Sequence, residues 1–319
     1  MAFAASWLST SARDDEPSVK FAKLEAILQA ATTSPEEVAL IAELHSLAPT
    51  APAYAEAVPA LEQLTPQRKK DRTLEALVWQ VQGLAQRRPV LEALAWSRQL
   101  NHPHSLAYAL SIATMLHLIR RADQQAEVAL EKVFSLATEQ KLSVWLPSAH
   151  VMRGCVFATR GKATEGLALA RKGIAEKNAQ GSVLNQPFFL ALLSWCCEQA
   201  NQADEAFELL GEALEIANRT GERWFEAELH RRRGDWLLVH RTAEQAEAEA
   251  CFNRALTIAQ NQSAKMWELR AAVRLVRIRR DQPKAGEAHE LLGSVYNWFT
   301  EGLDIPDLTE AKSLLDELR

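Results

Sequence analysis

The stretch EAEACFNRALTIAQ, residues 247–260, decides the fold. Ala248, Phe252, Ala255 and Leu256 stand at offsets 0, 4, 7 and 8. On a helix of 3.6 residues per turn these offsets share one stripe. The two alanines let a second helix approach closely, and the phenylalanine fills the contact.

The same stripe recurs along the chain. Ala126, Gly166 and Ala206 follow at intervals of forty, Ala248 after forty-two, and Ala288 after forty again. Four residues beyond each anchor lie Leu130, Ala170, Leu210, Phe252 and Leu292, and seven beyond lie Val133, Gly173, Ala213, Ala255 and Val295. Eight beyond lie Phe134, Ile174, Leu214, Leu256 and Tyr296. Between these second helices, small residues keep the beat of forty: Thr114, Gly154, Ser194 and Gly234. One helix pair cannot bury such faces alone, so the pairs must stack. The sequence therefore predicts an all-α chain, an α-solenoid of antiparallel helix pairs with a period of about forty residues. Small-x3-large-x2-small is the signature of tetratricopeptide repeats. The period exceeds their usual ~34 residues, which leaves a HEAT-like array as the alternative.

Helix ends carry their own signals. Gly181 and Gly221 fall after second helices, where a left-handed residue belongs. In the final PDLTEAKSLLDELR (306–319), Asp307 and Glu310 have capping-box spacing. The expected organisation is a separate helical segment over 1–90, a repeat array over 91–303 and a capping helix over 304–319.

Composition narrows the function. Apolar residues make up 48% and charged residues 24%, as in an ordinary globular protein. A net charge of −5 argues against a broadly basic nucleic-acid surface. No apolar run approaches the ~18 residues that cross a bilayer. The first residues carry no basic region ahead of an apolar core, so no secretory signal is expected. Cys155, Cys196, Cys197 and Cys251 lack metal-ligand spacing and read as buried thiols in a reducing compartment. The expected location is the cytoplasm, with no membrane or nucleic-acid partner.

Three stretches go beyond the generic pattern: GERWFEAELHRRRGDWLL (221–238), EAEACFNRALTIAQNQSAKMWELRAA (247–272) and YNWFTEGLDIPDLTEAKSLLDEL (296–318). Together they resemble the C-terminal tail of large bacterial signalling proteins. In that family a class III adenylate/guanylate cyclase or a winged-helix domain precedes an AAA/STAND-type ATPase and tetratricopeptide repeats. The resemblance runs over about 92–319. Residues 20–47 and 64–91 resemble the middle of the ATPase module instead. In the family a strand beginning near Pro89-Val90-Leu91 continues into an Asp-rich magnesium-binding segment; here EALAWSRQLNHPHS follows at once. Pro89 stands where the first turns of a repeat helix belong, which helices reject. The resemblance thus implies an internal deletion between Leu91 and Glu92, with 1–90 a remnant of the ATPase. The family's phosphate-binding loop would lie ahead of Met1. No G-x4-G-K-[ST] occurs in the chain, and Gly161-Lys162 is followed by Ala163. Neither ATPase nor cyclase activity is expected, and no cofactor.

The remaining chemistry is sparse. His102-Pro103-His104 reads as a turn, not a metal site, and no G-x-S-x-G elbow supports a nucleophilic serine. Arg231, Arg232 and Arg233, with Arg270, Arg274, Arg277, Arg279 and Arg280, form the one conspicuous cluster. Pairs such as Glu228 with Arg231 and Arg232 suit a solvated, salt-bridged face; the functional reading places some arginines in the concave groove, gripping an acidic peptide. Arg231, Arg270, Arg274 and Trp236 are the candidate partner-binding residues, with no catalytic, cofactor or metal residue. The expected function is a non-catalytic interaction module holding a protein or peptide. The alternatives are a regulatory piece of a nucleotide-dependent signalling enzyme, or the product of a decayed gene.

Overall fold

The computed structural model describes Leu94, residues 103–280 and residues 285–317. The segment 1–90 and the join at Leu91–Glu92 lie outside the described residues. The chain divides into two compact units, Met1–Ile112 and Ala113–Arg319, with helix α1 (Pro103–Ile119) running through the division. Pro103 opens that helix, where its fixed φ is already suited, and so does not make the expected turn.

The second unit is a series of helix pairs, and among the described residues no strand occurs. After α1 come α2 (Asp123–Glu139), α3 (Leu146–Thr159), α4 (Ala163–Ala179), α5 (Gln186–Gln199) and α6 (Ala203–Thr220). Then follow α7 (Glu226–His240), α8 (Gln245–Asn261), α9 (Lys265–Arg279), α10 (Ala285–Tyr296) and α11 (Pro306–Glu317). The stripes lie as predicted. Ala126, Leu130, Val133, Ala170, Ala206, Leu210, Ala213, Ala248 and Phe252 are fully buried. The residues at offset 8 mark the stripe's edge: Phe134, Leu214 and Leu256 are half-buried.

A shorter period underlies the forty. Left-handed residues recur every twenty positions, at Arg121, Lys141, Gly161, Gly181, Asn201 and Gly221. At most of these turns the following amide reaches five residues back, as in Ala122 N to His117 O at 2.8 Å and Gln202 N to Cys197 O at 2.8 Å. This is the Schellman closure of a helix end. Position 241 breaks the series: Arg241 has φ −137°, and a 3-10 turn (Thr242–Glu244) follows. The next left-handed residue is Ser263. The interval of forty-two is therefore a two-residue insertion in the α7–α8 turn.

Small residues set the distance within pairs. A Cβ on Gly154 would lie 2.5 Å from Gly166 O and 2.8 Å from Ala170 N. Ser194 occupies the equivalent place in the next pair and donates from Oγ to Ala206 O at 2.9 Å. At Gly234 the Phe252 ring fills the space, 2.6 Å from where a Cβ would stand.

The terminal helix packs on the helices before it: Leu308, Ala311, Leu314 and Leu315 meet Leu269, Ala272, Val273, Val276, Leu292 and Val295. Its start differs from the expectation. The amides of Leu308 and Thr309 donate to Ile305 O, so Ile305 is the cap and Pro306 the first helical residue. Asp307 is inside the helix and its carboxylate faces the core, 3% exposed.

Candidate functional site

The first helices share one side of the unit and line a common hollow. Leu118 and Ile119 of α1, Cys155 and Thr159 of α3, Phe188, Leu192 and Trp195 of α5, Arg231 and Asp235 of α7, and Trp267 and Arg274 of α9 all face it. Its volume is about 460 Å³, within the range of ligand-holding clefts. A second recess of about 560 Å³ shares Trp195, Arg231, Arg232, Asp235 and Arg274, and continues to Val239, His240 and Arg277. The two recesses adjoin at these shared residues, and both mix aromatic with charged side chains.

Arg231, Arg270 and Arg274 are brought together here. Arg231 grips Glu228 with a fork, Nε to Oε2 at 2.8 Å and Nη2 to Oε1 at 2.7 Å, while Nη1 donates to Asp235. Arg270 forks onto Asp307 at 2.9 and 2.7 Å, reaches Glu228 at 3.2 Å, and donates through Nη2 to Ile119 O. Arg274 joins Asp235 at 2.7 Å to Glu310 at 3.2 Å. Positions 228, 231 and 235 share one face of α7, and 270, 274 and 277 one face of α9. The network thus follows from helical spacing on two neighbouring inner helices.

Burial corrects the reading of these arginines as a solvated face. Arg231 and Arg270 are each 8% exposed, and Glu228 5%. Burial alone would push the Glu228 carboxyl up; Arg231 and Arg270 outweigh it and hold the group down, to about 2. Burial would likewise discharge Arg231, yet Glu228 and Asp235 raise its proton affinity. Buried ions need such partners, because each costs several kcal/mol to desolvate. Successive arginines at 231–233 point in different directions around α7. Arg232 turns back to Ala191 O and Glu198, and Arg233 faces Glu247 and the Phe207 ring.

Trp236 is placed differently from an exposed anchor. It is 4% exposed, its Nε1 donates to Ala203 O at 2.8 Å, and its ring lies 4.3 Å from that of Phe207. It wedges α7 against α6. The aromatic wall consists instead of Phe188, Trp195, Phe225 and Trp267, with Arg232 over Trp195 and Arg270 over Trp267. The available sequence signal was the apolar run PFFLALLSWCC (187–197), which the structure buries at every position except Trp195. All four cysteines are free and buried. A hydrogen bond to Cys155, with burial, pushes the Cys196 thiol up, and burial pushes Cys197 to about 11. Thiols so raised are poor nucleophiles.

No family model matches the chain. Over 179 residues, 56% of this chain, it is 25% identical to an uncharacterised protein of Rhizobium meliloti (strain 1021). The match spans only 17% of that protein's length. Two solved structures align at a TM-score of 0.46. BtubC from P. vanneervenii is 16% identical, with 72% of this chain and 89% of that one covered. A STAND signal-transduction ATPase with a tetratricopeptide repeat sensor, from Pyrococcus horikoshii, is 14% identical, with 98% and 55% covered. Among the described residues no helix is long and apolar enough to cross a membrane, and no three His, Cys, Asp or Glu side chains gather as a metal would need.

One pH dependence follows from the contact of α7 with α8. Burial, then Arg254 and Arg233, lower the His230 imidazole to about 4. The folded chain holds this ring neutral, whereas the unfolded chain protonates it near its ordinary value of about 6.5. His230 therefore favours the fold above pH ~6.5, and that contribution is lost as pH falls toward 4. Urea midpoints should decline across this window and flatten in His230→Gln. An unchanged slope in the variant would show that His230 titrates normally. Glu228, held at about 2, contributes its own loss only below the ordinary carboxylate range.

Proposed function

We propose that this array is a non-catalytic interaction module whose first-helix groove holds a peptide or helix of a protein partner. The observation that carries the reading is that aromatic side chains (Phe188, Trp195, Trp267) and arginines (Arg274, Arg277) line two adjoining recesses on the first-helix side. Aromatic anchors and arginines supply most binding energy in interfaces of this kind. The fitting segment has an apolar or aromatic side chain for the chamber and a carboxylate for the arginines. Arg231 and Arg270, buried with their own acids, position this wall; Arg274 and Arg277, 20% and 51% exposed along their side chains and paired with Asp235 and Glu310, meet the partner.

The setting we infer is a cytoplasmic bacterial signalling system, as the resemblance of residues 221–318 implies. A second reading, that the array serves as the regulatory arm of a larger nucleotide-dependent protein, is favoured by the 17% share of the R. meliloti protein that the match spans. The test compares partner capture by the full chain with capture by Arg274→Glu and Trp195→Ala, each checked for native helicity. Loss of the same partner in both, by about tenfold or more, is the expected result. Capture indifferent to both changes would sink the groove reading.

A further inference from the structure

The turn after α1 reaches across the hollow to the far end of the array. Arg121 Nη2 stands 3.2 Å from Asp307 Oδ1, and its Nη1 3.6 Å from Glu310 Oε2. Two residues earlier, the Ile119 carbonyl accepts from Arg270 Nη2, a bond between positions 151 apart in sequence. Arg121 forms one wall of the aromatic chamber. Beneath its contact with Asp307 and Glu310 the free space is about 10 Å³, room for a single water at most. Arg121 thus lines both the aromatic chamber and this narrow space between the α1–α2 turn and α11.

The two halves of this contact differ in kind. Arg270 and Asp307 are buried, so salt screens them little. Arg121 is 45% exposed along its side chain, and its ion pairs are within reach of solvent ions. Its backbone is left-handed, φ 57°, as at the equivalent turns, which carry glycine at 161, 181 and 221 but Lys141 and Asn201 at the other two. An arginine holds this place against its own backbone preference, and its guanidinium meets two carboxylates of α11.

We propose that Arg121 is a releasable clasp that shuts one end of the chamber, so that an entering segment is admitted as the clasp opens. The proposal rests on the groove being the partner site, and deepens it by making access a function of ionic strength and of competing anions. A partner's carboxylate is the natural competitor, since it can take Arg121 from Glu310.

Arg121→Gly separates the clasp from folding, because it removes the ion pairs while relieving the turn; Arg121→Glu adds repulsion from Asp307 and Glu310. Amide exchange of the full chain would be followed at about 0.05 M and about 0.5 M salt. In both variants exchange should rise together in 116–123 and 306–312, about two- to fivefold, the range a half-exposed ion pair supports. The unsubstituted chain should approach the variants only at high salt. Exchange that rises in 116–123 alone would overturn the clasp. Anilinonaphthalene sulfonate, an aromatic anion that suits the chamber, then reads access. Its affinity should rise in Arg121→Gly by a similar factor, and the gain should vanish when Leu192→Trp fills the chamber. Unchanged affinity, or a gain that Leu192→Trp leaves intact, would overturn the gating. Failure of the groove reading shows separately, as partner capture indifferent to Arg274 and Trp195.

Discussion

Arg270→Ala should lower the stability of the chain by about 3–5 kcal/mol, the cost of leaving a buried charge without its partner. Two carboxylates lose their guanidinium at once: Asp307, 3% exposed, and one oxygen of Glu228, 5% exposed. Arg231 still covers Glu228, whereas Asp307 keeps only the half-exposed Arg121. The urea midpoint of the full chain measures the effect. Arg270→Leu combined with Asp307→Leu should recover most of the loss, because a matched apolar pair replaces a buried ion pair at little cost. A loss below about 1 kcal/mol for Arg270→Ala would mean that it behaves as a surface pair.

Gly154→Ala should be comparably damaging, although it adds one methyl group. Overpacking usually costs about 1–3 kcal/mol, because neighbouring side chains rotate aside. Here two of the nearest atoms are backbone, Gly166 O at 2.5 Å and Ala170 N at 2.8 Å, so α4 itself must move. A cost at or above about 3 kcal/mol is expected. Gly211, in the middle of α6, has nothing within 4 Å of its absent Cβ. Gly211→Ala should raise stability by up to about 1 kcal/mol, the helix preference of alanine. Thermal unfolding of the two variants side by side decides the matter. Similar effects of one sign would show that the α3–α4 contact is looser than its geometry.

What the sequence disclosed and what it hid divide along sequence distance. The stripe of Ala248, Phe252 and Ala255 is written within one helix, so its period was readable and each repeat fell where expected. Gly181 and Gly221 were readable for the same reason: a left-handed turn asks for a local residue type. The half-period of twenty was harder to see, because Arg121, Lys141, Asn201 and Ser263 take the left-handed conformation without being glycine. Asp307 was misread because its spacing to Glu310 mimics a local cap, while its true partner is thirty-seven positions away on α9. The arginines were visible, but their burial was not. Whether Arg231 is solvated depends on how α7 and α9 face the hollow, and no window of sequence holds both. Trp236 and Trp195 look alike in sequence, and only the stacking of α6 beneath α7 separates the wedge from the wall.

An open stack of repeats is modular: units can be added or lost at an end, and unfolding can begin there and run inward. The bond from Ile119 to Arg270 and the pairs from Arg121 to α11 remove that freedom. They are satisfied at one repeat number only, since each pair advances the chain by a fixed rotation. A version with one pair deleted would keep every neighbour contact and still miss this one. Loosening the α1–α2 turn would therefore also strip partners from α9 and α11. Within the second unit, this contact counts the repeats that lie between α1 and α11.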